Sequence, residues 1–361
     1  MIRLPAVLQR VYGRLPDLWP LPATGALPSK LPDLPALLDM PGLVARPSAI
    51  AFFGYSITGY EGETTSQEDI FEVSPASGAV RRITDHRDLP VMRSDRDPAW
   101  SPDGSRLAIH AASTSDPTAT LYLISRSAGV VVQALVDGHS PCWLNSNTLL
   151  FLDTVAAGTD EAHDEAFCVS RSTLAVTRLT DLGVGVDVTG LSWHPSGGLA
   201  LAVSEPAADR SGIAVVPAAA IGAARAPSGT PIARSGLTMV TPPGLHAAAP
   251  DWSPDAARLA LTTWQAGQPS RVGHWSVPSA TLTTLPGPAV EPELSDHGAV
   301  FSPDGASIAF ARGLEDAWSE IWIYRLRGRR MRQLTDDSRQ RFKGGLDWAT
   351  VRRPWLPTVF R

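Results

Sequence analysis

Short apolar runs alternate with polar turn clusters along most of this chain, and one such pattern recurs. It reads Asp97-Pro98-Ala99-Trp100-Ser101-Pro102-Asp103-Gly104-Ser105-Arg106-Leu107-Ala108-Ile109. It returns as Pro250-Asp251-Trp252-Ser253-Pro254-Asp255 followed by Arg258-Leu259-Ala260-Leu261, and as Ala299-Val300-Phe301-Ser302-Pro303-Asp304-Gly305 followed by Ser307-Ile308-Ala309-Phe310. Weaker copies surround Trp143 and Trp193, and Gly345-Leu346-Asp347-Trp348 carries the aromatic anchor and then stops. The anchors Trp100, Trp143, Trp193, Trp252, Phe301 and Trp348 lie 43, 50, 59, 49 and 47 residues apart. That period fits a propeller blade of four strands joined by loops of variable length.

Each unit reads as four strands. A short anchor strand comes first. Ser-Pro-Asp-Gly then supplies a tight turn, because Pro presets φ, Asp bonds its own backbone and Gly accepts positive φ. An apolar strand follows, such as Leu107–His110 or Ile308–Ala311, and then an alternating one, such as Asp69–Val73 or Glu320–Tyr324. A polar fourth strand ends in Ile83-Thr84-Asp85, Leu179-Thr180-Asp181 or Leu334-Thr335-Asp336.

The WD-like Trp-Ser-Pro-Asp-Gly turn and the Leu-Thr-Asp ending resemble the repeat of TolB-like propellers. The same repeat occurs in propellers attached to prolyl-oligopeptidase-type hydrolases. The resemblance covers about residues 48–350 and implies an all-β, six-bladed β-propeller. It also implies a scaffold for partners more than a catalyst. Trp348 has no strands after it, and the strands at Ile50–Phe53, Asp69–Val73 and Val80–Thr84 have no anchor before them. The sequence therefore predicts one blade shared between the termini, with Gly345–Thr350 innermost beside Ile50–Tyr55, so that no edge is left open. The long insertion at Ala218–Thr241, rich in Ala, Gly and Pro, predicts an irregular loop near the rim.

Residues 1–47 stand outside the repeat as an N-terminal arm, and 351–361 as a tail. The arm repeats Leu-Pro at Leu4-Pro5, Leu15-Pro16, Leu21-Pro22, Leu27-Pro28, Leu31-Pro32 and Leu34-Pro35. Proline at this density blocks helix and central strand and favours extended structure. The arm either packs on the propeller or docks a partner.

Composition narrows the function. A net charge of −5 argues against nucleic acid, whose phosphates need a positive surface. No apolar run reaches the length of a membrane span, and Pro5, Gln9, Arg10 and Arg14 interrupt any leader-like stretch, so a cytoplasmic protein is expected. Cys142 and Cys168 read as small buried thiols, with a disulfide or a metal pair as the other readings. The basic run Arg325–Arg332 straddles a hairpin and reads as charge protection of an outer edge.

Propellers bind at the channel mouth, and the residues just before each anchor lie nearest the axis. Four positions before the anchors stand Arg96, His139, Thr189, Ala248, His297 and Gly344, with Asp97, Asp187, His246, Asp296 and Lys343 close by in sequence. This polar ring suits a small anionic or polar ligand. His139, His246 and His297 are also candidate ligands for a divalent metal, although no local metal spacing accompanies them. Loops on the same face contribute Tyr55, Tyr60, Glu61, Asp153, His163, Asp164, Glu165, Glu205, Trp264 and Trp318, which suit a peptide or sugar. Gly54-Tyr55-Ser56-Ile57-Thr58-Gly59 misses the nucleophile-elbow pattern by one position. Two functions follow. One is a non-catalytic scaffold binding a protein, a peptide or a small ligand. The other is a small-molecule lyase, cyclase or isomerase with His139, His246, His297, Asp97 and Asp296 as acid–base or metal-binding candidates and Arg96, Asp187, Lys343, Trp264 and Trp318 as binding candidates.

Overall fold

The computed structural model describes residues 48–60, 63–85, 93–113, 119–127, 129–314, 317–337 and 341–351. The Leu-Pro arm and the last ten residues lie outside them, as do the side chains of Tyr55 and Tyr60 and all of Glu61.

Twenty-four of the 26 described strands fall into six four-stranded antiparallel sets, and the other two, Thr180–Asp181 and Ile232–Ala233, pair parallel with each other. Two of these sets are linked by a single parallel bridge, Glu68 to Ser94. The innermost strands are Arg93–Trp100, His139–Asn145, Asp187–His194, His246–Trp252, Ser295–Phe301 and Lys343–Thr350. Each touches the next in that order, and Lys343–Thr350 touches Arg93–Trp100, so the strands surround a common axis. The chain is an all-β propeller.

The termini share one blade. Lys343–Thr350 pairs antiparallel with Ser48–Tyr60, with Ser48 opposite Thr350, Ile50 opposite Trp348 and Gly54 opposite Lys343. Glu63–Val73 and Val80–Arg82 complete that blade. The last inner strand thus has a hydrogen-bonded partner from the other end of the chain.

Repetition in sequence becomes repetition in hydrogen bonding. In the turn after Trp100, Arg106 N–H donates to Ser101 Oγ at 3.0 Å and Ser105 N–H donates to Asp103 Oδ1 at 3.1 Å. Ser253 with Asp255 and Ser302 with Asp304 repeat this arrangement. Gly104 and Gly305 take positive φ of 64° and 67°, and Ala256 adopts 56° where the second copy lacks the glycine. The Leu-Thr-Asp ending has an equally local cause. Thr84, Thr180 and Thr335 each accept a backbone N–H from the third strand of their own blade, from Ile70, Ala166 and Ile321. Thr180 and Thr335 also donate to the buried carboxylates Glu165 and Glu320.

Second strands read as continuous apolar runs because neighbouring blades cover both of their faces. Leu149, Leu150, Phe151 and Leu152 are all buried. Ile50, Phe52 and Phe71 of the shared blade pack on Ile321 and Ile323 of the blade before it. Burying each such side chain stabilises the fold by about 1.5–3 kcal/mol. This apolar inter-blade packing fixes the innermost strands around the axis, where the candidate site lies.

The insertion in the Trp193 blade differs from the loop expected of it. Ala218–Ala224 is a short helix that buries Ile221 and Ala224, Ile232–Ala233 pairs with Thr180–Asp181, and Thr238–Met239 supplies the fourth strand. Alanine's high helix propensity explains the helix once Pro217 has set its entry.

Candidate functional site at the channel mouth

A shared bulge shapes the axis. The pairing register shifts just before the anchor in the Trp100, Trp143, Trp252 and Phe301 blades, at Arg96/Ala99, His139/Cys142, Ala248/Asp251 and His297/Val300. Three residues before the anchor φ is positive: 46° at Asp97, 48° at Ser140, 50° at Ala249, 64° at Gly298 and 56° at Gly345. Such bulges bend a strand and re-aim its side chains.

A cavity of about 400 Å³ is lined by residues from all six innermost strands. Its polar lining includes Asp97, Ser140, Cys142, Thr189, Ser192, Asp251 and Asp347, and among the described residues no Lys, Arg or His lines it. The residue immediately before three of the six anchors, Trp193, Trp252 and Trp348, has a shared task. Asp347 accepts the Trp100 N–H at 2.5 Å, Asp251 accepts the Phe301 N–H at 2.7 Å, and Ser192 Oγ accepts the Trp252 N–H at 3.1 Å. Each bond joins one blade to the next. Burial pushes Asp251 up to about 7, against the Phe301 N–H, with the nearby charge of Asp347 adding to the rise. Burial likewise pushes Asp347 up to about 6, despite the N–H groups of Trp100 and Trp348. The Cys142 thiol is pushed up to about 12 by burial. Cys142 and Cys168 are both free.

At one side of the mouth a polar chain crosses from the Trp100 blade to the Trp143 blade. His110 Nδ1 lies 3.3 Å from Asp97 Oδ2, and Ser140 Oγ donates to the same oxygen at 3.2 Å. His139 Nδ1 is 3.2 Å from Ser140 Oγ, and His139 Nε2 is 3.3 Å from Asp164 Oδ2. Thr154 Oγ1 donates to Asp164 at 2.7 Å, and the Asp164 N–H donates to Asp187 at 3.1 Å. Burial works to lower the His139 pKa, but the Asp164 hydrogen bond and the charges of Asp164, Asp97 and Asp153 outweigh it and raise the value. Burial works to raise Asp97, but His110, Ser140 and His139 together hold it below the usual carboxylate range.

The other sequence-predicted residues are engaged elsewhere. Arg96 pairs with buried Glu68 and lies 5.6 Å from the centre of the Phe53 ring. Asp296 is fully buried and holds Arg312 through two hydrogen bonds. Lys343 is also buried, with Nζ 3.0 Å from Glu320, 3.0 Å from Asp337 and 2.8 Å from Ser319 O. His297 stacks on Phe342 at 5.2 Å and bonds Lys343 O at 3.2 Å. His246 stacks on Trp264 at 5.5 Å and lies 3.1 Å from Ser211 Oγ. Trp318 lines a second cavity of about 270 Å³ with Glu291, Trp322 and Asp336. The structure therefore brings together Asp97, His139, Asp164 and Asp187, but not His139, His246 and His297. Among the described residues no three His, Cys, Asp or Glu side chains are grouped to hold a metal ion.

Reading four positions before each anchor missed Asp251 and Asp347. The signal was present one position before the anchor, in Pro250-Asp251-Trp252 and Leu346-Asp347-Trp348. It also missed Ser140, whose place in the cavity depends on the bulge.

Solved structures share this architecture. TolB from Acinetobacter baumannii is 19% identical, with a TM-score of 0.61 over 84% of this chain and 66% of that one. The chain thus spans about two thirds of that TolB. A TolB from Agrobacterium tumefaciens, described as putative, is 14% identical, with a TM-score of 0.53 over 85% of this chain and 100% of that one. The propeller domain of the Trilobed protease from Pyrococcus furiosus is 9% identical, with a TM-score of 0.50 over 81% of this chain and 93% of that one. No family model and no curated protein sequence matches the chain. At these identities the likeness defines the fold, that of a TolB-like β-propeller. No helix among the described residues is long and apolar enough to cross a membrane.

Proposed function

We propose that this propeller is a binding scaffold whose channel mouth receives a basic side chain, Lys or Arg, from a protein or peptide partner. One observation carries this reading: among the described residues the charged groups lining the axial cavity are Asp97, Asp251 and Asp347, with no base beside them. An ammonium entering there gains charge-assisted bonds in a partly desolvated setting, where a unit charge pair at 4 Å is worth roughly 4 kcal/mol. The acidic lining favours a cationic ligand over an anionic one, where the sequence suggested a small anionic or polar ligand. Asp153, Asp164 and Asp187 extend the negative field beyond the cavity.

The test is calorimetric titration with short peptides carrying one central lysine. Asp251→Asn combined with Asp347→Asn should weaken binding by roughly tenfold or more at pH 8. Unchanged affinity in that folded double variant would remove the axial carboxylates from the reading. A second reading, a small-molecule enzyme using acid–base chemistry, is supported by His139 lying 3.3 Å from Asp164. Loss of turnover in His139→Gln, with peptide binding retained, would favour it.

A further inference from the structure

Ser140 lies where the axial cavity meets the polar chain of the mouth. It lines the axial cavity. Its Oγ is 3.2 Å from His139 Nδ1, and that imidazole's other nitrogen is 3.3 Å from Asp164 Oδ2. Asp164 is itself held by Thr154 Oγ1 at 2.7 Å and by its own N–H donating to Asp187 at 3.1 Å. A neutral His139 with its proton on Nε2 donates to Asp164 and turns the Nδ1 lone pair toward the Ser140 hydroxyl. Nucleophile, base and orienting carboxylate within hydrogen-bond reach are the parts of an acyl-transfer site, whatever their order in the chain.

The Ser140 hydroxyl has two neighbouring acceptors, Asp97 and His139. They differ as bases. His110, Ser140 and His139 hold Asp97 below the usual carboxylate range despite its burial, so it is a poor proton acceptor. His139 is raised by Asp164 and the surrounding carboxylates despite its burial, so it is the better one. Asp97 therefore anchors the hydroxyl in the resting state, and His139 takes the proton when the oxygen reacts.

We propose that Ser140 is a catalytic nucleophile for acyl transfer from esters bearing an ammonium group, with His139 as general base and Asp164 as its positioning residue. Ser140 Oγ attacks the ester carbonyl carbon, the carbonyl π pair moves to oxygen, and the hydroxyl proton passes to His139 Nδ1. Collapse of the adduct breaks the bond to the leaving alcohol, which takes that proton. Water then attacks the acyl-serine carbonyl and gives a proton to His139, which returns it to Ser140 Oγ. The sum is ester plus water to acid plus alcohol, with no redox change. The ammonium requirement rests on the same acidic lining as the binding reading, while the nucleophile does not.

The experiment uses the full chain and two probes. A fluorophosphonate reports the nucleophile by intact mass and peptide mapping. Hydrolysis of acetylthiocholine against its neutral carbon isostere reports the charge preference. One adduct is expected, at Ser140 and absent from Ser140→Ala. Labelling should slow roughly 10²-fold in His139→Gln. Its rate should rise with pH as His139 loses its proton, and Asp164→Asn should move that rise to lower pH. Acetylthiocholine should react at least about tenfold faster than the isostere. Absence of an adduct in folded wild-type chain, an adduct at another residue, or wild-type labelling in His139→Gln overturns the proposal. Equal rates for the two esters overturn its ammonium clause. A wild-type chain that binds the lysine peptide without labelling refutes only the nucleophile. One that labels without binding refutes only the scaffold reading.

Discussion

Asp251→Asn should stabilise this protein at alkaline pH. Asp251 accepts the Phe301 N–H at 2.7 Å, and Asn offers the same acceptor through Oδ1 without a charge. Burial lifts the Asp251 pKa from its ordinary 3.8 to about 7, so the folded chain binds this proton more tightly than the unfolded chain. The native state then holds more protons between these values, and stability falls as pH rises through that window. Above about 7 the full cost of the buried charge is present. The interval corresponds to a ceiling of roughly 4 kcal/mol. Partial exposure of Asp251 and its coupling to Asp347 bring the expected gain down to about 1–2 kcal/mol at pH 8, a Tm rise on the order of 3 °C. Calorimetric melting of both proteins at pH 4, 6 and 8 checks this. The variant's advantage should be smallest at pH 4 and fully developed by pH 8. A variant less stable than wild type at pH 8, or an advantage that does not change with pH, would refute the reasoning.

Other substitutions probe other parts of the account. Asp296→Ala leaves the buried Arg312 without the carboxylate that holds it at two nitrogens, and should cost about 3–5 kcal/mol in denaturant unfolding. Gly345→Ala places a Cβ 2.8 Å from Phe53 Cδ1 at a φ of 56°, and should destabilise by about 1–3 kcal/mol in the same assay. Asp164→Asn removes the first of the influences that raise His139, so that imidazole should titrate at lower pH by NMR; an unchanged or higher His139 titration would count against the Asp164 contact.

The fold was legible because its causes are local and repeated. Ser101 with Asp103 and Thr180 with its strand partner Ala166 are short-range bonds that every copy can encode in a few residues. The shared blade followed from unmatched halves: an anchor at Trp348 without strands, and strands from Ile50 without an anchor. The site was harder to read. Asp296 and Lys343 looked like ring residues, but Arg312 reaches Asp296 from the adjacent strand of its own sheet and Glu320 reaches Lys343 from the preceding blade, pairings that spacing does not reveal. His139, His246 and His297 occupy comparable positions in sequence, yet Phe342 and Trp264 hold two of them in separate stacks. Asp251 and Asp347 were visible as residues but not as a pair, because only the closed ring sets them around one cavity. The helix in the insertion escaped notice because seven residues of Ala-rich sequence carry little periodic signal.

The account rests on the acidity of the axial cavity, and one titration tests it. The wild-type chain at pH 8 and low salt is titrated with a lysine peptide and with the same peptide acetylated at that lysine. Acetylation removes the charge and leaves the peptide otherwise intact. The account predicts affinity at least about tenfold weaker for the acetylated peptide, with the difference shrinking at pH 5 as Asp251 and Asp347 take up protons. Equal affinities at pH 8, or tighter binding of the acetylated peptide, would contradict it.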